Sequence, residues 1–232
     1  MLSRLPVRLA LLPVLLAQAV AVRRRALVLP EAAGPRRGTT GSGPTLRLLI
    51  AGDSSAAGVG VAVQDQALAG QLVAALAGDF TVQWRLEARS GATSGQVLHH
   101  LQGLDLGPLD VAVTVSGVND VLRQVSLRRW RRQQAALSQL LVTHGARQVW
   151  RCGVPPMQQF TLLPRPLRDV LGAQARRFDA ALAADSTGPL HHLPFDPARL
   201  TPAMLAEDGF HPGPQIYALW ARELAEKIRL HA

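Results

Sequence analysis

The sequence predicts an α/β domain, a parallel sheet covered by helices on both faces. Three observations carry that reading. From Leu46 onward, short apolar runs alternate with stretches of helical periodicity, the pattern of strand–helix–strand units rather than of hairpins or bundles. Gly-rich and polar clusters stand directly after the apolar runs, where parallel sheets assemble their sites. The chain has 232 residues, 48% of them hydrophobic, which suits one domain with a sizeable core and is short for two.

The elements follow in order. Leu46–Ala51 is a short apolar run bounded by Gly52, as expected of a buried parallel strand. Gln64–Ala77 has apolar residues at helical spacing, and Thr81–Ala88 reads as a second strand. Ser94–Leu104 is a short helix, Asp110–Val115 a third strand, and Ser126 caps a helix that runs to Thr143 before His144-Gly145 stops it. Gln148–Cys152 is a fourth strand, 155–166 a Pro-rich loop, and Leu167–Ala184 a helix. Pro189–Leu193 is a short fifth strand, and a helix from Pro212 to Leu230 closes the chain, with Pro212 or Pro214 in its first turn.

Ahead of this domain (46–232) lie an apolar and basic segment, 1–33, and a Gly/Ser/Thr/Pro-rich stretch, 34–45, that reads as a linker. Arg4 and Arg8 precede the 14-residue apolar run Leu9–Val22, and Ala17-Gln18-Ala19 has the small-x-small form of a cleavage site. The run is shorter than the ~20 residues of a spanning helix, and Arg23, Arg24 and Arg25 oppose translocation. Two readings stand: an export signal, giving an exported or periplasmic protein, or attachment to a membrane surface through residues 1–25.

The net charge of +9 is concentrated in this leader, because 46–232 carries 18 basic against 15 acidic residues. A nucleic-acid partner would call for a basic stripe on the domain itself. The one cluster, Arg128, Arg129, Arg131 and Arg132, reads as a solvated helix face, so no nucleic acid is expected. Cys152, the single cysteine, reads as a buried strand thiol.

The polar clusters carry the chemistry. They are Gly52-Asp53-Ser54-Ser55 after the first strand, Ser90-Gly91 after the second, Gly117-Val118-Asn119-Asp120 after the third, and Asp208-Gly209-Phe210-His211 before the last helix. A serine hydroxyl becomes a nucleophile when a base takes its proton, and the base is usually a His supported by a carboxylate. Ser54 precedes small residues that allow a sharp turn at a helix entrance; alone it would read as a cap or turn serine. Asp208 and His211, three apart around Gly209, can meet on one turn. Backbone N–H groups at Ser54 and Gly91 and the Asn119 amide are available for a developing oxyanion. His99, His100, His144, His191 and His192 are weaker candidates, and no His or Cys spacing suggests a metal.

In that order these blocks resemble the signatures of the SGNH/GDSL hydrolases, from about Leu46 to the C-terminus. The resemblance implies a flavodoxin-like, three-layer α/β/α sandwich with about five parallel strands. It implies a serine esterase acting on a small-molecule acyl ester, without cofactor or metal. Ser54 is then the nucleophile, His211 the base supported by Asp208, and Ser54, Gly91 and Asn119 form the oxyanion hole. Ser55 stands where the family pattern has Leu. An acyltransferase or carbohydrate O-deacylase would use the same site.

Other readings explain less. Gly52, Gly58 and Gly60 with Glu87 suggest a dinucleotide site, but Val63 occupies the third glycine position and Asn119, Asp208 and His211 stay unexplained. No G-x-S-x-G elbow of an α/β-hydrolase occurs. A non-catalytic scaffold has no feature in its favour. In the Pro-rich loop, Met157, Phe160, Leu162 and Leu163 read equally as an acyl pocket or as a lid packed on the core.

Overall fold

The computed structural model of the chain describes residues 11–196 and 201–231. Its strands are β1 (Arg37–Thr40), β2 (Thr45–Gly52), β3 (Thr81–Ala88), β4 (Val111–Val115), β5 (Gln148–Cys152) and β6 (Leu190–Leu193). Its α-helices are α1 (Leu12–Arg25), α2 (Leu68–Leu76), α3 (Ser94–Gln102), α4 (Val118–Leu122), α5 (Leu127–Thr143), α6 (Leu167–Ala184) and α7 (Pro214–Leu230).

Alternation along β2 sets out the layers. Leu48 and Ile50 join the apolar cluster under α2 and α7, while Leu49 and Ala51 join the one under α3 and α5, because successive side chains of a strand point to opposite faces. Both sets are buried, so β2 reads as a continuous apolar run. A third cluster, centred on Trp130 of α5 stacked on Phe178 of α6 (centroids 4.4 Å apart), includes Met157, Phe160 and Leu163 of the Pro-rich loop. The result is the expected three-layer α/β/α sandwich.

The sheet has six strands in the order β1-β3-β2-β4-β5-β6, and β2 to β6 are mutually parallel. Those five follow the doubly wound order of flavodoxin-like folds, in which the chain reverses its direction of travel between the first and third parallel strands. Here that point lies between β2 and β4, where Gly52 pairs with Val115. The residues leaving these two strands are Asp53-Ser54 and Ser116 to Asn119.

Four expectations are corrected. Residues 34–45 are not a free linker: Arg37–Thr40 pairs antiparallel with β3, because a strand edge offers unpaired backbone groups that even a polar, Gly-bounded segment can satisfy. The helix expected over Gln64–Ala77 is broken at Ala67, which is extended. The cause is Gln64, whose buried amide donates to the carbonyls of Ala32 and Ala57 (3.2 and 3.0 Å) and holds a separate 3₁₀ turn. The last helix begins at Pro214 after Gly213, not at Pro212. Ser54 stands in a run of turns and not at a helix entrance, since α2 begins only at Leu68.

Ser126 caps α5 as expected, accepting from the Arg129 N–H at 3.3 Å, and the four arginines around Trp130 are exposed while Trp130 is buried. Cys152 is buried in β5, and burial pushes its thiol pKa up. The apolar leader forms α1 across Leu12–Arg25. Among the described residues no helix is long and apolar enough to cross a membrane.

Candidate active site

Ser54 reaches its position through a glycine. A Cβ on Gly52 would stand 2.1 Å from the Val115 carbonyl oxygen, so only glycine lets β2 run beside β4 to its last residue. The Asp53 N–H then donates to that same carbonyl (3.0 Å), and the Asp53 and Ser54 carbonyls accept from Ala57 and Val59. These bonds hold the turn that carries the serine.

Asp208, Gly209, Phe210 and His211 form a tight turn before α7. The Asp208 carboxylate accepts from the backbone N–H groups of Phe210 and His211 (both 2.9 Å) through one oxygen. Its other oxygen lies 2.5 Å from His211 Nδ1. On the far side of the ring, His211 Nε2 lies 2.9 Å from Ser54 Oγ, across 157 residues of sequence. Burial pushes the Asp208 carboxyl up, but the hydrogen bonds from the His211 ring and from the backbone outweigh it and leave its pKa below the ordinary value. The aspartate is therefore an anion that fixes the ring's tautomer with Nδ1 protonated and Nε2 facing the hydroxyl.

Gly91 has φ +76°, and a Cβ there would meet nothing within 4 Å, so the position requires glycine for its left-handed backbone and not for space. The loop is held from three sides. Glu31 accepts from the N–H and hydroxyl of Ser90 (2.7 and 2.8 Å), Arg123 donates to the Gly91 carbonyl (3.0 Å), and Asn119 Nδ2 donates to the Ala92 carbonyl (3.1 Å). Asn119 is the second residue of α4, whose N-cap is Gly117, so it is not a capping residue. Its Nδ2 also lies 3.5 Å from Asp53 Oδ2. One amide N–H is thus tied to the Gly91 loop and the other faces the Ser54 turn.

Sequence reasoning missed three supports. Glu31 ties residues ahead of the domain to the Gly91 loop. Asp120, fully buried, accepts from the N–H and hydroxyl of Ser94 (2.9 and 2.8 Å) and anchors α3 to α4. Asp53 is also buried, and desolvation pushes its carboxyl up to about 7, against the opposing Ser55 N–H and the nearby His211. Asp53 and Asp120 stand in the polar blocks and Glu31 does not, but nothing local gives any of the three its long-range partner.

Asp53 gives a pH prediction. With its pKa raised in the folded state, the protonated form's contribution to stability is fully present below the unfolded value, near 3.9, and is lost as pH rises through about 7. Asp53→Asn removes that titration, so the variant's loss of stability from pH 4 to pH 8 should be smaller than the parent's by up to about 4 kcal/mol. Urea unfolding at several pH values measures this; parallel curves for the two proteins would contradict it.

Of the remaining candidate histidines, His99 is exposed and the others have other partners. His100 pairs with Glu87 (2.7 Å), His192 with Asp179 (2.8 Å), His144 Nδ1 meets the Gly107 carbonyl (3.2 Å), and His191 stacks on Trp150 (4.4 Å). The glycines of the dinucleotide reading serve packing: Gly58 abuts Ala32 and Ala67, and Gly60 abuts the Pro212 carbonyl. The Pro-rich loop divides. Met157 is core, Phe160 packs edge-on against Phe210 (4.8 Å) beside the site, and Leu162 and Leu163 line a groove. That groove, of about 670 Å³, runs between α1, α4 and the start of α6, with Asn119 and His211 among its lining residues.

The family model of the GDSL-like lipase/acylhydrolase family matches residues 50–219. No curated relative matches the chain. Solved structures share its fold. The psychrotrophic esterase EstA from Pseudoalteromonas sp., solved with inhibiting monoethylphosphonate, is 20% identical, with 80% of this chain and 99% of that one covered and a TM-score of 0.55. An acetylxylan esterase from Geobacillus stearothermophilus, Axe2, is 19% identical over 81% and 95%, with a TM-score of 0.54. A lipase/acylhydrolase from Enterococcus faecalis is 19% identical over 79% and 95%, with a TM-score of 0.55.

Proposed function

The chain belongs to the GDSL-like lipase/acylhydrolase family, an ester-hydrolysing enzyme family, and we propose that it is a serine esterase working through an acyl-enzyme on Ser54. The observation that carries this reading is the relay Asp208–His211–Ser54, with contacts of 2.5 and 2.9 Å. His211 Nε2 takes the hydroxyl proton as Ser54 Oγ attacks the ester carbonyl, and Asp208 stabilises the imidazolium so formed. The tetrahedral oxyanion lies among the N–H groups of Ser54 and Gly91 and the Asn119 amide. Collapse expels the alcohol, which takes the proton from His211. Water then attacks the acyl carbonyl as it gives a proton to the same nitrogen, and collapse breaks the bond to Ser54 Oγ, releasing the acid while His211 returns the proton to Oγ.

A fluorophosphonate should label Ser54, identified by peptide mass, and Ser54→Ala should abolish labelling and turnover of p-nitrophenyl butyrate while the circular dichroism spectrum stays unchanged. Label on another residue, with turnover retained in the variant, contradicts the assignment.

A further inference from the structure

We propose that helix α1 is a wall of the substrate site and that the groove it closes takes the aliphatic chain of an acyl ester; this deepens the reading of Ser54 as the acylated nucleophile and rests on it. The groove's helical side repeats every three or four residues along α1, through Leu15, Ala19 and Val22, the stripe that one face of a helix presents. Opposite stand Leu163, Leu167 and Leu171. At about 670 Å³ the space falls within the ~300–1,000 Å³ of small-molecule sites.

The position and chemistry of the groove select its occupant. Asn119 and His211 are among its lining residues, and His211 Nε2 lies 2.9 Å from the Ser54 hydroxyl, so a chain lying in it has its ester end beside the catalytic ring. Its charged lining residues are Arg23, Arg123 and Asp208, and Asp208 is already bonded to His211. The rest is apolar, apart from two amides and the His211 ring, which suits a hydrocarbon better than a polyol or peptide. The cavity that Ser54 itself lines, bounded by Phe195 and Trp220, holds about 30 Å³, room for a water and not for a chain.

α1 is set for this task by one polar residue. None of its residues is fully buried, yet it is latched to α6 at both ends of a single amide. Gln18 Nε2 donates to the Arg165 carbonyl (2.6 Å) and Gln18 Oε1 accepts from the Leu167 N–H (3.1 Å). Leu12 and Leu16, which also border the groove, are 46% and 58% exposed, apolar surface that a bound chain would cover. The helix lies outside residues 50–219, the stretch that the family model matches.

The test uses the full chain and the p-nitrophenyl esters of butyrate, octanoate and dodecanoate. Burial of a methylene favours binding by roughly fourfold, so kcat/KM should rise at least tenfold from butyrate to octanoate. Ala19→Trp fills the groove, and Gln18→Ala unlatches its wall. Each should lower the dodecanoate-to-butyrate ratio of kcat/KM tenfold or more. Independently of turnover, Ser54→Ala protein should bind dodecanoate in calorimetry, and adding Ala19→Trp should weaken that binding at least tenfold. A flat chain-length profile, or a ratio and a dodecanoate affinity unmoved by both substitutions, overturns the inference even if Ser54 is labelled and butyrate is cleaved. So does a dimer that Ala19→Trp dissociates without moving the ratio, since the groove's occupant is then a second copy. Chain binding that Ala19→Trp abolishes, in a protein that cleaves no ester and takes no label at Ser54, upholds the groove and sinks the esterase reading alone.

Discussion

Replacing His211 with alanine should lower kcat/KM toward a short-chain p-nitrophenyl ester by about 10⁴-fold or more, the scale of loss when a triad member is removed. The ring stands between two groups that cannot reach each other without it, with Ser54 at 2.9 Å on one nitrogen and Asp208 at 2.5 Å on the other. Without it the hydroxyl has no acceptor for its proton, and the leaving alcohol has no donor. Asp208→Asn should cost somewhat less, because the imidazole remains while its tautomer and charge support are lost. Asparagine is also the cleaner replacement. Asp208 accepts from the Phe210 and His211 N–H groups, and an alanine would leave both donors without their partner in a half-buried turn. Initial rates on both variants, with thermal melts to show that they fold, make the measurement. Ordinary turnover in either variant would remove the triad from the mechanism.

Asn119→Ala should lower kcat by about 10²–10³-fold, the range for one oxyanion-hole donor, with KM changed less, because the charge it meets exists only in the transition state. Asn119→Asp should be worse. The Asn119 Nδ2 stands between two acceptors, the Ala92 carbonyl at 3.1 Å and Asp53 Oδ2 at 3.5 Å. A carboxylate there offers neither acceptor a proton and adds a negative charge beside a negative transition state. The order Asn, then Ala, then Asp in kcat, with Tm measured for all three, distinguishes this role from one of merely holding the Gly91 loop. Were the loop tie all that mattered, KM and Tm would move and kcat would not. An Asn119→Asp enzyme with full turnover and unchanged melting would refute the oxyanion role.

The sheet was legible because its evidence is local. An apolar run such as Leu46–Ala51 closed by Gly52, or a serine cap before a periodic stretch as at Ser126, specifies an element through residues that are neighbours in sequence. The blocks around Ser54, Gly91, Asn119 and His211 were legible for a related reason: each is a short turn whose composition reflects its backbone, and their order matched a known family. The serine's setting was read less well, since small residues after Ser54 suit a series of turns as readily as a helix entrance.

What only the tertiary structure decided is every outcome that depends on a partner far along the chain. Residues 34–45 have the composition of a linker, yet part of them pairs with the edge of β3, because an open strand edge accepts almost any extended segment. Met157 and Leu162 lie five residues apart in one Pro-rich loop, and one becomes core while the other lines the groove, a division that packing makes and periodicity cannot record. Asp53 and Asp120 stand in the polar blocks without an assigned role, and only the packed sheet buries them. The apolar segment around Gln18 reads as a leader by composition, and its place beside the site comes from two hydrogen bonds to residues nearly 150 positions away and from Leu15 and Val22 packed on the cluster around Trp130. By itself the sequence determined which turns could hold chemistry. The crossing order of five parallel strands decided that those turns meet, because it brings the ends of β2 and β4 side by side and carries the final turn, with His211, back over Ser54.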